Sequence, residues 1–133
     1  MKYMLDTNIC IYLIKNKPAT VKAKFQEHSI TDICISSITL SELLYGAEKS
    51  KWQAKSRLAV IKLLSPVKVL DFDANAAFAY GKLRADLEQK GTPIGPLDML
   101  IAGHALAEDL VLVTNNTKEF ARVVDLKLEN WVS

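Results

Sequence analysis

Only two cysteines occur in the 133 residues, Cys10 and Cys34, both inside apolar runs and without metal-ligand spacing. That excludes a disulfide scaffold and reads as two small buried hydrophobes in a reducing compartment. Long apolar runs are also missing. Nothing is long enough to cross a bilayer, and the apolar start Met1–Leu5 is short and interrupted by Asp6, so no signal peptide is read and the cytoplasm is the expected location. There is no repeat, low-complexity tract or linker, no Ser–His–acid order, no P-loop and no dinucleotide fingerprint. Acids are absent from Lys49 through Leu70, where six cations stand alone: Lys49, Lys51, Lys55, Arg57, Lys62 and Lys68. From Met1 to Glu27 five lysines face two acids, although the whole chain is only +2. Such stretches suit phosphate backbones, and they equally suit solvated helix faces.

What remains is an ordinary globular composition, half apolar and 24% charged. The length predicts a single domain, residues 1–133, that buries roughly two-thirds of its unfolded surface. Short β-type runs alternate with longer helical ones, which predicts an α/β layered fold on a mainly parallel sheet. Strands are expected at Lys2–Leu5, Ile33–Ser36, Val67–Leu70, Leu110–Val113 and near Leu126–Leu128. Helices are expected at Asn8–Asn16, Ala19–Glu27, Thr39–Lys49, Lys51–Leu64, Ala74–Lys90, Leu97–Glu108 and Thr117–Phe120. Between Gly91 and Pro96 stand two glycines and two prolines, a loop that sets up the helix after it.

In open parallel sheets ligands bind at the carboxyl ends of the strands. There the sequence places Asp6 after the first strand, Glu42 one turn into the helix after the second, Asp98 in the first turn after the Gly/Pro loop, and Asn115-Asn116 after the fourth strand. Three converging carboxylates repel one another unless a cation compensates them. Oxygen donors without cysteine or histidine suit Mg²⁺ or Mn²⁺, the usual ions of phosphoryl transfer.

Each acid also has a structural explanation. Asp6 could cap a helix, a task that Thr7 and Asn8 already cover. Glu42 forms a capping-box spacing with Thr39, and Asp98 suits a helix dipole wherever it serves. Asp71 and Asp73 follow an apolar strand too, but Asp73 reads as an N-cap. His104, in an apolar helix with no catalytic partner, reads as packed or hydrogen-bonded.

Taken together, Met4-Leu5-Asp6-Thr7-Asn8, Ser36-Ser37-Ile38-Thr39 with Glu42-Leu43-Leu44-Tyr45-Gly46, Gly95-Pro96-Leu97-Asp98 and Val113-Thr114-Asn115-Asn116 through Phe120 resemble the successive signatures of PIN domains. Within these the chain is most similar to the VapC toxins of VapBC pairs. The resemblance implies an α/β/α sandwich on a parallel sheet of four or five strands, with an acidic pocket at its C-terminal edge. It implies an endoribonuclease dependent on Mg²⁺ or Mn²⁺, commonly a homodimer, silenced by a VapB antitoxin that also binds operator DNA. It further implies structured RNA as substrate, often tRNA, with this subtype resembling those that act in the anticodon loop of initiator tRNA. By motif position Asp6, Glu42 and Asp98 become the metal-binding acids, and Asn116 stands where PIN domains frequently carry an aspartate, a weaker or indirect ligand for a second ion.

For backbone recognition Lys51, Lys55 and Lys62 are candidates, since in one helix they project within a sector of about 40°. Two other readings share acids at strand ends. One is a flap-type DNA nuclease, whose arch and DNA-binding insert have no room here. The other is a non-catalytic receiver-like module, which needs an acceptor aspartate ending its central strand (Asp71 being the one to misread so) and a lysine after its last.

Overall fold

The computed structural model describes all residues, 1–133. Five strands, β1 (Tyr3–Leu5), β2 (Ile33–Ser36), β3 (Lys68–Leu70), β4 (Val111–Val113) and β5 (Leu128–Glu129), form one sheet in the order β3-β2-β1-β4-β5. Every pairing is parallel, with Met4 opposite Cys34 on one side and Leu112 on the other. The strands alternate with α1 (Thr7–Lys15), α2 (Ala19–Glu27), α3 (Ser37–Glu48), α4 (Gln53–Leu64), α5 (Ala74–Gln89), α6 (Pro96–Ala107) and α7 (Thr117–Phe120). A 3₁₀ turn at Ile30–Asp32, not expected from the sequence, leads into β2.

Neighbouring side chains of a strand point to opposite faces, and the two cores divide on that rule. Met4, Cys34 and Leu112 pack with residues of α5, α6 and α7, including Leu87, Ile101 and Phe120. Leu5, Ile33, Ile35 and Val113 pack with α1 to α4 through Ile9, Val21, Leu43 and Val60. The result is a three-layer α/β/α sandwich. Both cysteines are buried and free. No helix is long and apolar enough to cross a membrane.

The expected elements are present, with boundaries moved by one or two residues. Two shifts matter. Helix α1 starts at Thr7, so its N-cap is Asp6, and α3 starts at Ser37, so its N-cap is Ser36. The fifth strand also lies later than expected, at Leu128–Glu129. Strand β3 is an edge strand, so Asp71 does not end the central strand that a receiver-like module requires. Asp73 caps α5, its Oδ1 accepting from the Ala76 amide at 3.0 Å.

The order of strand addition reverses between β1 and β4: from β1 the sheet grows first toward β3, then the chain returns to β4 on the other side. A crevice opens at such a switch point, outside the carboxyl ends of the two strands. The pair α5 and α6 carries the chain across. Their backbones meet at Gly103, where an added Cβ would lie 2.9 Å from the Tyr80 nitrogen and Cα.

Gly103→Ala is therefore expected to lower stability by about 1–3 kcal/mol. Gly81, in the middle of α5 with open space at its Cβ position, should behave oppositely, Gly81→Ala adding about 0.5–1 kcal/mol. Thermal melts followed by circular dichroism check both signs. A neutral Gly103→Ala would show that the α5–α6 contact is looser than the backbone approach implies.

Candidate active site

Asp6 enters the switch-point crevice because β1 ends there, its own amide still bonded to the Val113 carbonyl at 3.0 Å. It is buried, 4% exposed, and its Oδ1 accepts the Ile9 amide at 2.9 Å. The sequence reading left the cap to Thr7 and Asn8, and this is corrected. Asp6 is the cap, because α1 begins one residue earlier than periodicity suggests. One carboxylate oxygen thus ties the helix to the strand end. Burial raises its pKa above the usual 3.8, and the Glu42 charge raises it further, against hydrogen bonds from the Thr114 side chain and the Ile9 and Asn8 amides.

Glu42 does not close the capping box with Thr39. With Ser36 as N-cap, Thr39 lies inside α3, where it is buried, and Glu42 turns toward α1. Its Oε1 accepts the Thr7 hydroxyl at 2.6 Å, and that hydroxyl is also 3.4 Å from the Thr39 Oγ1. Thr7, adjacent to Asp6 in the chain, is therefore a second-helix anchor for Glu42. The sequence pattern named it only as a possible cap.

Asp98 sits in the first turn of α6, after Gly95 and with Pro96 at the helix start. Its pKa rises to about 6, first from burial and then from the charges of Asp6, Glu42 and Glu119. The charges that act on Asp98 come from the end of β1, from α3 and from α7. Glu119, a residue the sequence reading missed, lies in α7. Its Oε2 accepts from Asn116 Nδ2 at 2.9 Å. The signal was available: a carboxylate three residues after Asn116 shares its face of a helix. Asn116, held by Thr114 through its amide at 2.9 Å, has its side-chain nitrogen engaged by Glu119.

Ser36 links two of these helices. Its Oγ accepts the Ile38 amide at 3.1 Å and lies 2.8 Å from Nδ1 of His104, which is fully buried on α6 and edge-on to Phe72. Burial lowers the pKa of His104, so the ring is a neutral tie between α3 and α6. Its Nε2 has no partner.

The cationic candidates are less gathered. Lys51 precedes α4, in a turn where Ser50 Oγ accepts the Trp52 amide at 3.1 Å, so the helical sector drawn through Lys51 does not exist. Lys55 and Lys62 are both on α4 and exposed. Lys62 lines a shallow groove with Leu13, Ile14, Ala59 and Leu63, two turns of α1 away from Asp6. A cavity of 390 Å³ runs between α5, the end of α6 and residues 123–125, and none of the crevice acids lines it.

The donor set fits a hard divalent cation. Asp6, Glu42, Asp98 and Glu119 offer oxygen only, and the nearby Cys10 is held as a thiol, its pKa raised by burial and by the Asp6 charge. No three acid, histidine or cysteine side chains close on one point as a preformed cage. This suits an ion that keeps several waters and takes only one or two carboxylates directly.

The PIN-domain family model matches residues 3–126. The chain belongs to the PIN-domain family. It is 50% identical over 131 residues, 98% of each chain, to the tRNA(fMet)-specific endonuclease VapC of Shigella flexneri. Among solved structures it superposes on the DNA-bound VapBC of Salmonella typhimurium with a TM-score of 0.94, at 49% identity over 98% of both chains. A second, VapBC2 of Rickettsia felis on a promoter DNA fragment, gives 0.92 at 47% identity, covering 98% of this chain and 99% of that one. Within the PIN domains the chain is thus a VapC-type endoribonuclease, the toxin of a toxin–antitoxin pair.

The raised pKa of Asp98 makes a sign-specific claim for this PIN domain. Its folded value, about 6, lies above the ordinary 3.8, so between them the native state binds the extra proton. Asp98 thus favours the fold most below pH 3.8, and that contribution is lost as pH rises through about 6. In chelator, Asp98→Asn should melt a few degrees higher than the unsubstituted chain at pH 7.5, and the gap should narrow at pH 5. A destabilised Asp98→Asn at pH 7.5 would contradict the crowding of charge.

Proposed function

We propose that this chain hydrolyses phosphodiester bonds in structured RNA with Mg²⁺ or Mn²⁺ at the crevice. One or two of Asp6, Glu42, Asp98 and Glu119 would hold the ion directly and the others through its waters, and it would supply Lewis-acid stabilisation of charge at the scissile phosphate and a better water nucleophile. The observation that carries this reading is the anchoring of acids at the switch point: Asp6 caps α1 beside the end of β4, Glu42 is held by the Thr7 hydroxyl next to it, and the charges of both help to raise the Asp98 pKa.

The chain's own groups do the positioning. Asp6 commits Oδ1 to the Ile9 amide, which fixes its carboxylate at the end of β1. Thr7 fixes one oxygen of Glu42, and Asn116 fixes one oxygen of Glu119. In this reading Asn116 acts through Glu119 rather than as a ligand. Water attacking the phosphorus in line with the 3′ oxygen breaks that P–O bond, leaving a 3′ hydroxyl and a 5′ phosphate.

The substrate we assign is initiator tRNA, supported by the named activity of the Shigella relative, and we place the cut in its anticodon loop. Partners follow in the same way. A VapB-like antitoxin silences the chain and carries the operator-DNA contact, a partnership supported by the DNA-bound VapBC complexes of the solved relatives. We take the toxin to act in the cytoplasm as a homodimer, each copy a single domain.

Incubating the purified chain with initiator tRNA, other tRNAs and duplex DNA, then mapping the new 5′ ends, tests this. Cleavage is expected with Mg²⁺ or Mn²⁺ and not in EDTA. Asn caps helices as well as Asp, so Asp6→Asn should fold normally yet cut several orders of magnitude more slowly, while Asp73→Asn should be silent. Full activity in chelator, or in a well-folded Asp6→Asn chain, would refute the mechanism.

A further inference from the structure

Glu42 opens a stripe on α3. Residues three and seven further along, Tyr45 and Lys49, project within about 60° of it, and Glu42 itself bonds Thr7 at the start of α1. Tyr45 is 66% exposed, and the Lys49 ammonium lies 5.4 Å above its ring. Just past the helix the motif repeats: Trp52 is also 66% exposed, with the Lys51 ammonium 5.6 Å from its ring. The one acid at this tip, Glu48, is paired with Arg57 at 2.8 Å, and no further acid follows until Asp71. Leaving a large aromatic in water forgoes apolar burial, and two of them within eight residues, each with a cation against its ring, have the composition of a single-stranded nucleic-acid surface.

We infer that Tyr45, with Lys49 beside it, is a base-stacking subsite for an unpaired nucleotide of the RNA. Trp52 with Lys51 extends the same track. The inference rests on the nuclease reading above and adds the path the strand takes away from the acids. Glu42 to Lys49 spans about 10 Å of helix axis, close to three nucleotides at the roughly 3.4 Å rise of a stacked strand. The ring offers a face to any base, so it orders an open loop without reading its sequence, and a paired stem has no free face to give. Lys49 answers the adjacent phosphate. The subsite therefore favours loops over duplexes, a preference the carboxylates alone do not provide.

The test uses the non-cleaving Asp98→Asn chain and two fluorescent RNA probes, a hairpin with a seven-nucleotide loop and a fully paired duplex of equal length. Adding Tyr45→Ala should weaken hairpin binding about tenfold and leave the duplex unchanged. Tyr45→Phe should bind like Tyr45, whereas Tyr45→Leu, apolar but without a π face, should bind like Tyr45→Ala. Lys49→Gln should weaken both probes and reduce the salt slope by about 0.7. In the otherwise unaltered chain, Tyr45→Ala should raise KM with kcat nearly unchanged. Hairpin binding untouched by Tyr45→Ala, or rescued by Tyr45→Leu, overturns the subsite, as does a smaller sedimenting particle for Tyr45→Ala, which would assign this face to contacts between copies of the chain. If the chain with Asp98 and Tyr45 both intact cuts RNA and Tyr45→Ala cuts it equally well, only the subsite fails. If that intact chain neither binds nor cuts either probe, the nuclease reading fails with it.

Discussion

Repulsion among carboxylates at one sheet edge is the constraint that organises this structure. Asp6, Glu42, Asp98 and Glu119 come from four different helices or strand ends, and Asp98 registers the other three by a pKa near 6. A fold gains nothing in stability by such an arrangement, since each charge is partly desolvated beside others of the same sign. Three of the acids stay in place because a neutral donor or the backbone ties them, and Asp98 is set by the first turn of α6. The Ile9 amide holds Asp6, the Thr7 hydroxyl holds Glu42, and the Asn116 amide nitrogen holds Glu119. None of these ties neutralises charge, so the crevice remains anionic and ready for a divalent cation.

The rest of the molecule serves to bring those ties together. Parallel strands with both faces covered put every carboxyl end on the same edge, and the order β3-β2-β1-β4-β5 sets Asp6 directly beside the end of β4. Tight packing of Gly103 on Tyr80 sets the separation of α5 and α6. The buried His104–Ser36 contact then joins the Asp98 helix to the N-cap of the Glu42 helix. A displacement of α6 is therefore transmitted to two acids at once.

Much of this was legible in the residues. Continuous apolar runs read as buried parallel strands, and the acids after them fell at the carboxyl edge as expected. Asp73 could be told from Asp6 because a following helix sufficed to explain it. The capping assignments were the weak point. Asp, Ser and Thr at neighbouring positions offer nearly equal caps, so a one-residue shift in α1 and a two-residue shift in α3 changed what Asp6, Thr7, Thr39 and Glu42 bond. Glu119 was passed over because a four-residue helix carries almost no periodicity. The lysine stripe failed for a similar local reason, since the Ser50 turn delays α4 until Gln53. Tyr45 stood inside a recognised motif, but only its exposure beside Lys49 suggested a use for it.

The central claim is that the crevice is a charge-frustrated site relieved by a divalent cation, independently of any RNA. The direct measurement is the melting temperature of the RNA-free chain at pH 7.5 against Mn²⁺ or Mg²⁺ concentration. Binding to the native state alone raises stability by mass action. The unsubstituted chain should therefore melt progressively higher as cation is added, and an Asp6→Asn, Asp98→Asn double variant should not respond. A melting temperature indifferent to cation in the unsubstituted chain, or an equal rise in the double variant, would contradict the account.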